Sequence, residues 1–259
     1  MCHGGGMRVT GVDACRGGWV AVSLDGSEDA GGNEGVDGHD GVDGVAMSSP
    51  LRVEMVRVHE TLAGVLDGHG SRVIGIDMPL GLTESGWREA DRVARGLLGP
   101  RRSSVFAIPP RAVWEQASYQ AASQRCRELT GQGLSIQAWG LRARLLEADR
   151  FRASCGFPLY EVHPELAFCV LAGAPLAHSK HTAAGREQRR ELLSRAGIAL
   201  PLISRALISR ARIPRAPVTD TMDAAAVACS AWRIGTGRAV VIPARPQPDD
   251  RGLPIAIRY

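Results

Sequence analysis

Lysine is nearly missing from this 259-residue chain: 30 of its 31 basic residues are arginine, and Lys180 is the single lysine. G+C-rich coding accounts for such a bias, although arginine also suits bidentate phosphate recognition. No apolar run approaches the ~20 residues that a membrane span needs, which excludes a membrane-embedded protein. The start, Met1-Cys2-His3-Gly4-Gly5-Gly6-Met7, has neither a basic stretch nor an apolar core. It is therefore not read as a secretory signal, and the expected compartment is the cytoplasm. Cys2, Cys15, Cys126, Cys155, Cys169 and Cys229 form no C-x-x-C pair. Neither a zinc site nor a disulfide framework is expected, and most should be buried, reduced thiols. No G-x-x-x-x-G-K-[ST] or G-x-G-x-x-G element occurs, which removes a P-loop and a simple dinucleotide fold.

What is present is an ordinary globular composition, 44% hydrophobic and 22% charged, long enough for one well-packed domain, here placed at 7–259. The formal charge of +4 hides an uneven distribution. Residues 25–50 contain seven acids, seven glycines and no Lys or Arg, and they repeat Gly-Val-Asp-Gly at 35–38 and 41–44. Such a stretch cannot bury enough apolar area to order itself and reads as a flexible acidic insertion. The other 233 residues hold all 31 basic residues against 20 acidic ones, a balance of +11. A basic body of this kind attracts polyanions.

Around the insertion lie three strand-like runs, Arg8 to Asp13, Gly18 to Leu24 and Leu51 to Val58, expected as an antiparallel meander. A short helix from about Glu60 to Leu66 leads to a buried strand, Arg72 to Asp77, ended by Met78-Pro79. A helical crossover normally returns the chain parallel to the strand it pairs with, here expected to be the first. The fold class expected is therefore α/β, a mixed sheet combining a three-strand meander with parallel strands. Residues 84–155 are mainly helical by period and read as a helical insertion or cap. A strand at 158–163, helices near 165–171, 186–195 and 201–210, and tail strands at 239–242 and 255–258 complete the order. The last helix is expected to open at Thr219-Asp220, whose side chains are suited to an N-cap before the run Ala224-Ala225-Ala226-Val227-Ala228.

The chemistry-bearing residues cluster in this order. Asp13 and Asp77 each follow glycine and an apolar residue and end what should be neighbouring parallel strands, where open α/β sheets place their ligands. Asp220 and Asp223 stand three apart on one side of the first turns of the last helix. Taken alone that pair reads as helix capping, with acids placed favourably at the positive end of the helix dipole. Gathered with the strand-end acids, Asp13, Asp77 and Asp223, with Asp220 beside them, read as a site for Mg²⁺ or Mn²⁺. Glu161, on a buried strand next to His163, is a further candidate ligand; His163 itself reads as a histidine hydrogen-bonded within the fold. Candidate phosphate contacts are Arg16, Arg101, Arg102 and Lys180.

Val12-Asp13-Ala14-Cys15-Arg16-Gly17-Gly18-Trp19, Ile76-Asp77-Met78-Pro79-Leu80-Gly81-Leu82, Arg101-Arg102-Ser103-Ser104-Val105-Phe106, Glu161-Val162-His163-Pro164-Glu165, Lys180-His181-Thr182 and Asp220-Thr221-Met222-Asp223-Ala224 together resemble a known family. It is the family catalogued as domain of unknown function number 429 and described as a predicted RNase H-like nuclease. The resemblance runs from about residue 8 to Tyr259. It implies an RNase H-like fold in which Asp13, Asp77 and Asp223, and less directly Asp220, hold metal. This chain departs from the family pattern in having Thr219 where the last helix commonly begins with a second adjacent acid, and in the insertion at 25–50. The function expected is divalent-metal-dependent hydrolysis of phosphodiesters in DNA or RNA at a two-metal carboxylate site. The alternatives are an ATP-dependent phosphotransferase of the actin and sugar-kinase type and a non-catalytic nucleic-acid-binding protein.

Overall fold

In the computed structural model, residues 6–27, 51–67, 70–154, 158–200 and 217–259 are described. The expected acidic insertion lies outside them from residue 28 onward, and so does the expected helix at 201–210. β1 (Met7–Cys15), β2 (Gly18–Gly26) and β3 (Arg52–His59) form the antiparallel meander, with β2 in the middle. β1 and β2 are buried almost throughout, β1 including the polar Thr10 and Asp13, whereas β3 alternates and lies at the sheet edge. Helix α1 (Leu62–Leu66), capped by the Thr61 hydroxyl accepting from the Gly64 amide, carries the chain over to β4 (Val73–Asp77). β4 lies parallel to β1 in the register Val9↔Val73 through Asp13↔Asp77.

The sheet continues with β5 (Leu159–Glu161), parallel to β4, and with a tail hairpin of β6 (Val241–Pro248) and β7 (Pro254–Arg258). The seven strands run in the order β3-β2-β1-β4-β5-β7-β6, β7 being parallel to β5. Between β4 and β5 the helical insertion consists of α2 (Glu89–Leu98), a 3₁₀ segment (Gly99–Ser104), α3 (Arg111–Trp114), α4 (Tyr119–Thr130), α5 (Ile136–Gly140) and α6 (Arg142–Ser154). It covers one sheet face, packing Trp114, Ala122 and Leu145 against Val12, Ile74 and Ile76. The other face is covered by α7 (Pro164–Ala172), α8 (Ala183–Arg195) and α9 (Val218–Gly235), through Phe168, Leu193, Ala224 and Ala228 against Val9, Val20 and Val22. Cys15, Cys126, Cys169 and Cys229 are free thiols, with Cys126 and Cys229 buried. No described helix is long and apolar enough to cross a membrane.

The expected start of α9 needs correction. The helix begins at Val218 behind Pro217, with no side-chain cap; the Thr219 hydroxyl instead bonds the Asp220 carboxylate at 3.2 Å. The ring of Pro217 fixes its φ, here −53°, and with an extended ψ of 144° that residue takes the N-cap position, so Thr219 already lies inside the helix.

Two glycines determine where α9 lies. Gly11 and Gly75 are register partners on β1 and β4. A Cβ on Gly11 would stand 2.1 Å from the Ala224 carbonyl oxygen and 2.2 Å from the Ala228 nitrogen; one on Gly75 would stand 2.9 Å from Val227 Cγ1. The helix backbone thus rests directly on the sheet, with the small residues of its alanine-rich run at the contact. Its other end lies over Met7 and Val73, beside Gly235, so α9 runs antiparallel to β1 and brings its N-terminal turns to the strand ends. Gly11→Ala is expected to lose about 3 kcal/mol in denaturant unfolding, because the clash is with backbone that cannot rotate away. Gly96→Ala on α2, where an added Cβ meets nothing within 4 Å, should instead be neutral or stabilising by up to about 1 kcal/mol.

Candidate functional site

Side chains two apart on a strand share a face, so Asp13 and Asp77 emerge on the side where Gly11 and Gly75 admit α9. The register makes them direct neighbours, and their side chains are hydrogen-bonded to each other. Asp223, buried in the second turn of α9, and Asp220, half-buried in its first, approach from above. All of the strand-end and helix acids expected to cluster therefore come together. Burial, then repulsion from Asp77 and Asp223, holds the Asp13 carboxyl well above the ordinary carboxylate range. Burial and the Asp223 charge push Asp77 up to about 7. Burial likewise raises Asp223 and Asp220, against the pull of Lys180.

Lys180 answers this repulsion. Its ammonium donates to Asp223 Oδ2 at 2.6 Å and favours the charged forms of Asp13 and Asp77 as well. Between the strand ends, the 3₁₀ segment and the Lys180 loop lies a cavity of about 490 Å³, lined among others by Asp13, Asp77, Arg101, Ser103, Phe106 and His181.

Glu161 also lines this cavity, but its carboxylate is engaged: Oε2 accepts from the Leu80 amide at 2.7 Å and from the Arg88 guanidinium. It thereby holds the turn that follows Asp77 in place. Arg88 is completely buried, lies 3.7 Å from Asp91 as well, and nothing in its sequence neighbourhood marks it as special. Burial lifts Asp91 to about 7 despite Arg88, while its Oδ2 accepts from the Ile108 amide at 2.9 Å. His163 bonds the Ser104 carbonyl through Nε2 at 3.2 Å, and burial lowers its pKa so that it stays neutral, as expected of a histidine used within the fold. A further acid, Glu165, lines the cavity and raises the Asp223 pKa; it is paired with the buried Arg189, which stacks on Phe168. Glu165 and Arg189 belong to the site's electrostatics, and only their three-dimensional pairing reveals it.

The phosphate candidates divide. Lys180 and Arg101 line the cavity. Arg101 donates from Nε to the Leu176 carbonyl at 3.1 Å and from Nη2 to the Ala177 carbonyl at 2.7 Å, and so braces the loop that carries Lys180. Arg102 is exposed on the 3₁₀ segment and Arg16 is exposed in the turn just past Asp13, both beyond the cavity lining.

Buried carboxylates of which Asp77 and Asp223 raise the Asp13 pKa are the hard-oxygen donors Mg²⁺ or Mn²⁺ takes, and a cation relieves such repulsion. The fit is one of donor chemistry. The arrangement itself is closed on Lys180, and among the described residues no group of three or more His, Cys, Asp or Glu side chains stands placed to hold a metal ion.

The raised carboxylates carry a sign for stability. Asp77 titrates near 7 in the folded chain and near 3.9 unfolded, so the folded state holds the extra proton between those values. Stability from this group is full below about pH 4 and is lost as pH rises toward 7. Without metal, Asp77→Asn should therefore gain melting temperature relative to the wild type between pH 4 and 7, and the gain should level off above 7. A constant difference across that window in calorimetry would contradict the assignment.

The sequence profile of a family described as "Protein of unknown function (DUF429)" matches residues 11–248. No curated protein matches. Among solved structures, one titled "Thermus thermophilus RuvC structure" is similar at 15% identity and a TM-score of 0.35, covering 89% of this chain and 98% of that one.

Proposed function

The chain belongs to the DUF429 family, and from that premise we propose that it is a divalent-metal-dependent nuclease with an RNase H-like sheet. The observation that carries this reading is the register pairing of Asp13 with Asp77 beneath the first turns of α9, in a cavity that Arg101 and Lys180 line together with these acids. The strand order, with an antiparallel meander followed by parallel β4 and β5, agrees with the RNase H-like arrangement that the resemblance implies. Asp13, Asp77 and Asp223 would hold the ion, with Asp220 beside them. When bound, the ion would supply Lewis-acid activation of water and stabilisation of the leaving oxygen.

The chain's own groups do the rest. Arg88 and the Leu80 amide fix Glu161, which keeps the turn after Asp77 in shape. Arg101 holds the loop that presents Lys180 and leaves its remaining N–H groups for a phosphate. Arg16, exposed just past Asp13, and Arg102 would extend phosphate contact outside the cavity, which suits the basic body of the chain to nucleic acid. The test is incubation of single- and double-stranded DNA and RNA with Mg²⁺ or Mn²⁺, in which cleavage of at least one substrate is expected. Absence of cleavage from every substrate would sink the reading. Arg16→Ala should leave the melting temperature unchanged and lower the slope of log K against log salt by about one unit, since one phosphate contact is lost. An unchanged slope in fluorescence titrations would remove Arg16 from the interface.

A second reading, nucleic-acid binding without catalysis, is favoured by one observation: Lys180 already supplies a positive charge to the carboxylates. Metal-independent binding with no cleavage would select it.

A further inference from the structure

We propose that Lys180 is an exchangeable internal counter-cation: its ammonium occupies the charge position of the carboxylate cluster, and a divalent ion must displace it to bind. The proposal rests on the nuclease reading for the ion that enters, and on four observations of the chain itself. The first is the contact, 2.6 Å from Nζ to Asp223 Oδ2, with the Asp223 side chain 2% exposed. An ammonium held there excludes a second cation by repulsion and by using an oxygen that a metal would need.

The second is mobility of the right part. The loop backbone around Lys180 is fastened from several sides. Arg101 holds the Leu176 and Ala177 carbonyls, and Arg189 donates to those of His178, at 3.1 Å, and Gly185, at 3.0 Å. The Thr182 hydroxyl donates to the Ser179 carbonyl at 2.8 Å, and a Cβ on Gly185 would lie only 1.9 Å from that same oxygen. The side chain of Lys180, by contrast, is 35% exposed. Exchange therefore needs only rotation of a four-carbon stem toward solvent, with the loop fixed.

The third is residue choice. In a chain with 30 arginines, the cation on this cluster is the single lysine. An ammonium is a compact point charge that lets go of one oxygen at a time, whereas a guanidinium forks onto a carboxylate with two parallel bonds. A group meant to leave is better as lysine. The fourth is charge. Without the ammonium bonded to Asp223, the repulsion that Asp77 and Asp223 exert on Asp13, and Asp223 on Asp77, would be unrelieved. The lysine thus offsets repulsion in the metal-free cluster and sets a threshold for metal entry.

The test measures metal binding and the lysine itself, apart from cleavage. Mn²⁺ affinity, read from the free-ion electron paramagnetic resonance signal, is compared in wild type, Lys180→Gln and Lys180→Arg. Lys180→Gln should bind Mn²⁺ about tenfold more tightly than wild type and Lys180→Arg about tenfold more weakly. Because the chain has one lysine, ¹³Cε-lysine labelling of the untagged wild type gives a single lysine signal. On saturation with Mg²⁺ that signal should move to the position of a solvent-exposed lysine, a readout that needs no variant to fold.

Equal or weaker Mn²⁺ binding by Lys180→Gln, or a lysine signal that stays in place at Mg²⁺ saturation, overturns the proposal. If Mn²⁺ still binds the wild type in those cases and Asp13→Asn abolishes binding, the nuclease reading stands and only the role of Lys180 falls. If neither wild type nor Lys180→Gln binds a divalent ion, both fall.

Discussion

Asp13→Asn should reduce metal-dependent cleavage by at least about a thousandfold, the size expected when a charged group that organises a catalytic cation is neutralised. The same change should leave the melting temperature of the metal-free protein equal to or above that of the wild type. Asparagine keeps the shape and can still hydrogen-bond Asp77, while one charge leaves a cluster in which burial and the neighbouring Asp77 and Asp223 hold the Asp13 carboxyl well above its ordinary range. A residue serving a structural ion pair would behave the other way, losing stability when its charge is removed. Steady-state cleavage and scanning calorimetry on parallel preparations separate these cases. Equal cleavage by both proteins would point to a contaminating nuclease, and a fall of several degrees in melting temperature would make Asp13 a structural group.

Arg88→Ala is expected to cost about 3–5 kcal/mol of folding stability, the range for removing one partner of a buried ion pair. The Arg88 side chain is 0% exposed and is paired with Glu161, 6% exposed, while Asp91, 4% exposed, lies within reach. Its loss would leave two carboxylates in the interior without their cation. Asp91, already near 7, would respond by taking up a proton, and Glu161 would lose its grip on the turn behind Asp77. Chemical denaturation at pH 7 measures the loss, and a change below about 1 kcal/mol would mean that water reaches the pair. Arg88→Ala with Glu161→Gln should recover part of the loss, since the uncompensated charge is then absent.

Much of the layout was legible from local pattern. The run Arg72 to Asp77 reads as a buried strand from its apolar residues, Arg8 to Asp13 as a β-like run, and the helical insertion reads from its 3.6-residue period. The crossover between β3 and β4 then implied that β4 is parallel to β1, and the register Asp13↔Asp77 agrees. Helical spacing put Asp220 and Asp223 on one side of the last helix, but only the strand-end acids Asp13 and Asp77 gave that pair more than a capping role. Local rules failed at the start of α9, where Pro217 rather than a capping side chain sets the boundary.

What the sequence determined by itself is the order of elements and the identity of the acids at their ends, because hydrophobic periodicity and turn chemistry act over a few residues. The tertiary structure alone decided which distant groups meet. Gly11 and Gly75 look like ordinary strand glycines until α9 is laid across them and no room remains for a Cβ. Lys180 reaches Asp223 from 43 residues away, and Arg88 reaches Glu161 across 73. Such pairings depend on how two sheet faces and three helices close on one another. A charged side chain carries no local mark of whether it will end in water or beside a buried partner, because burial belongs to the packed fold and not to the residue.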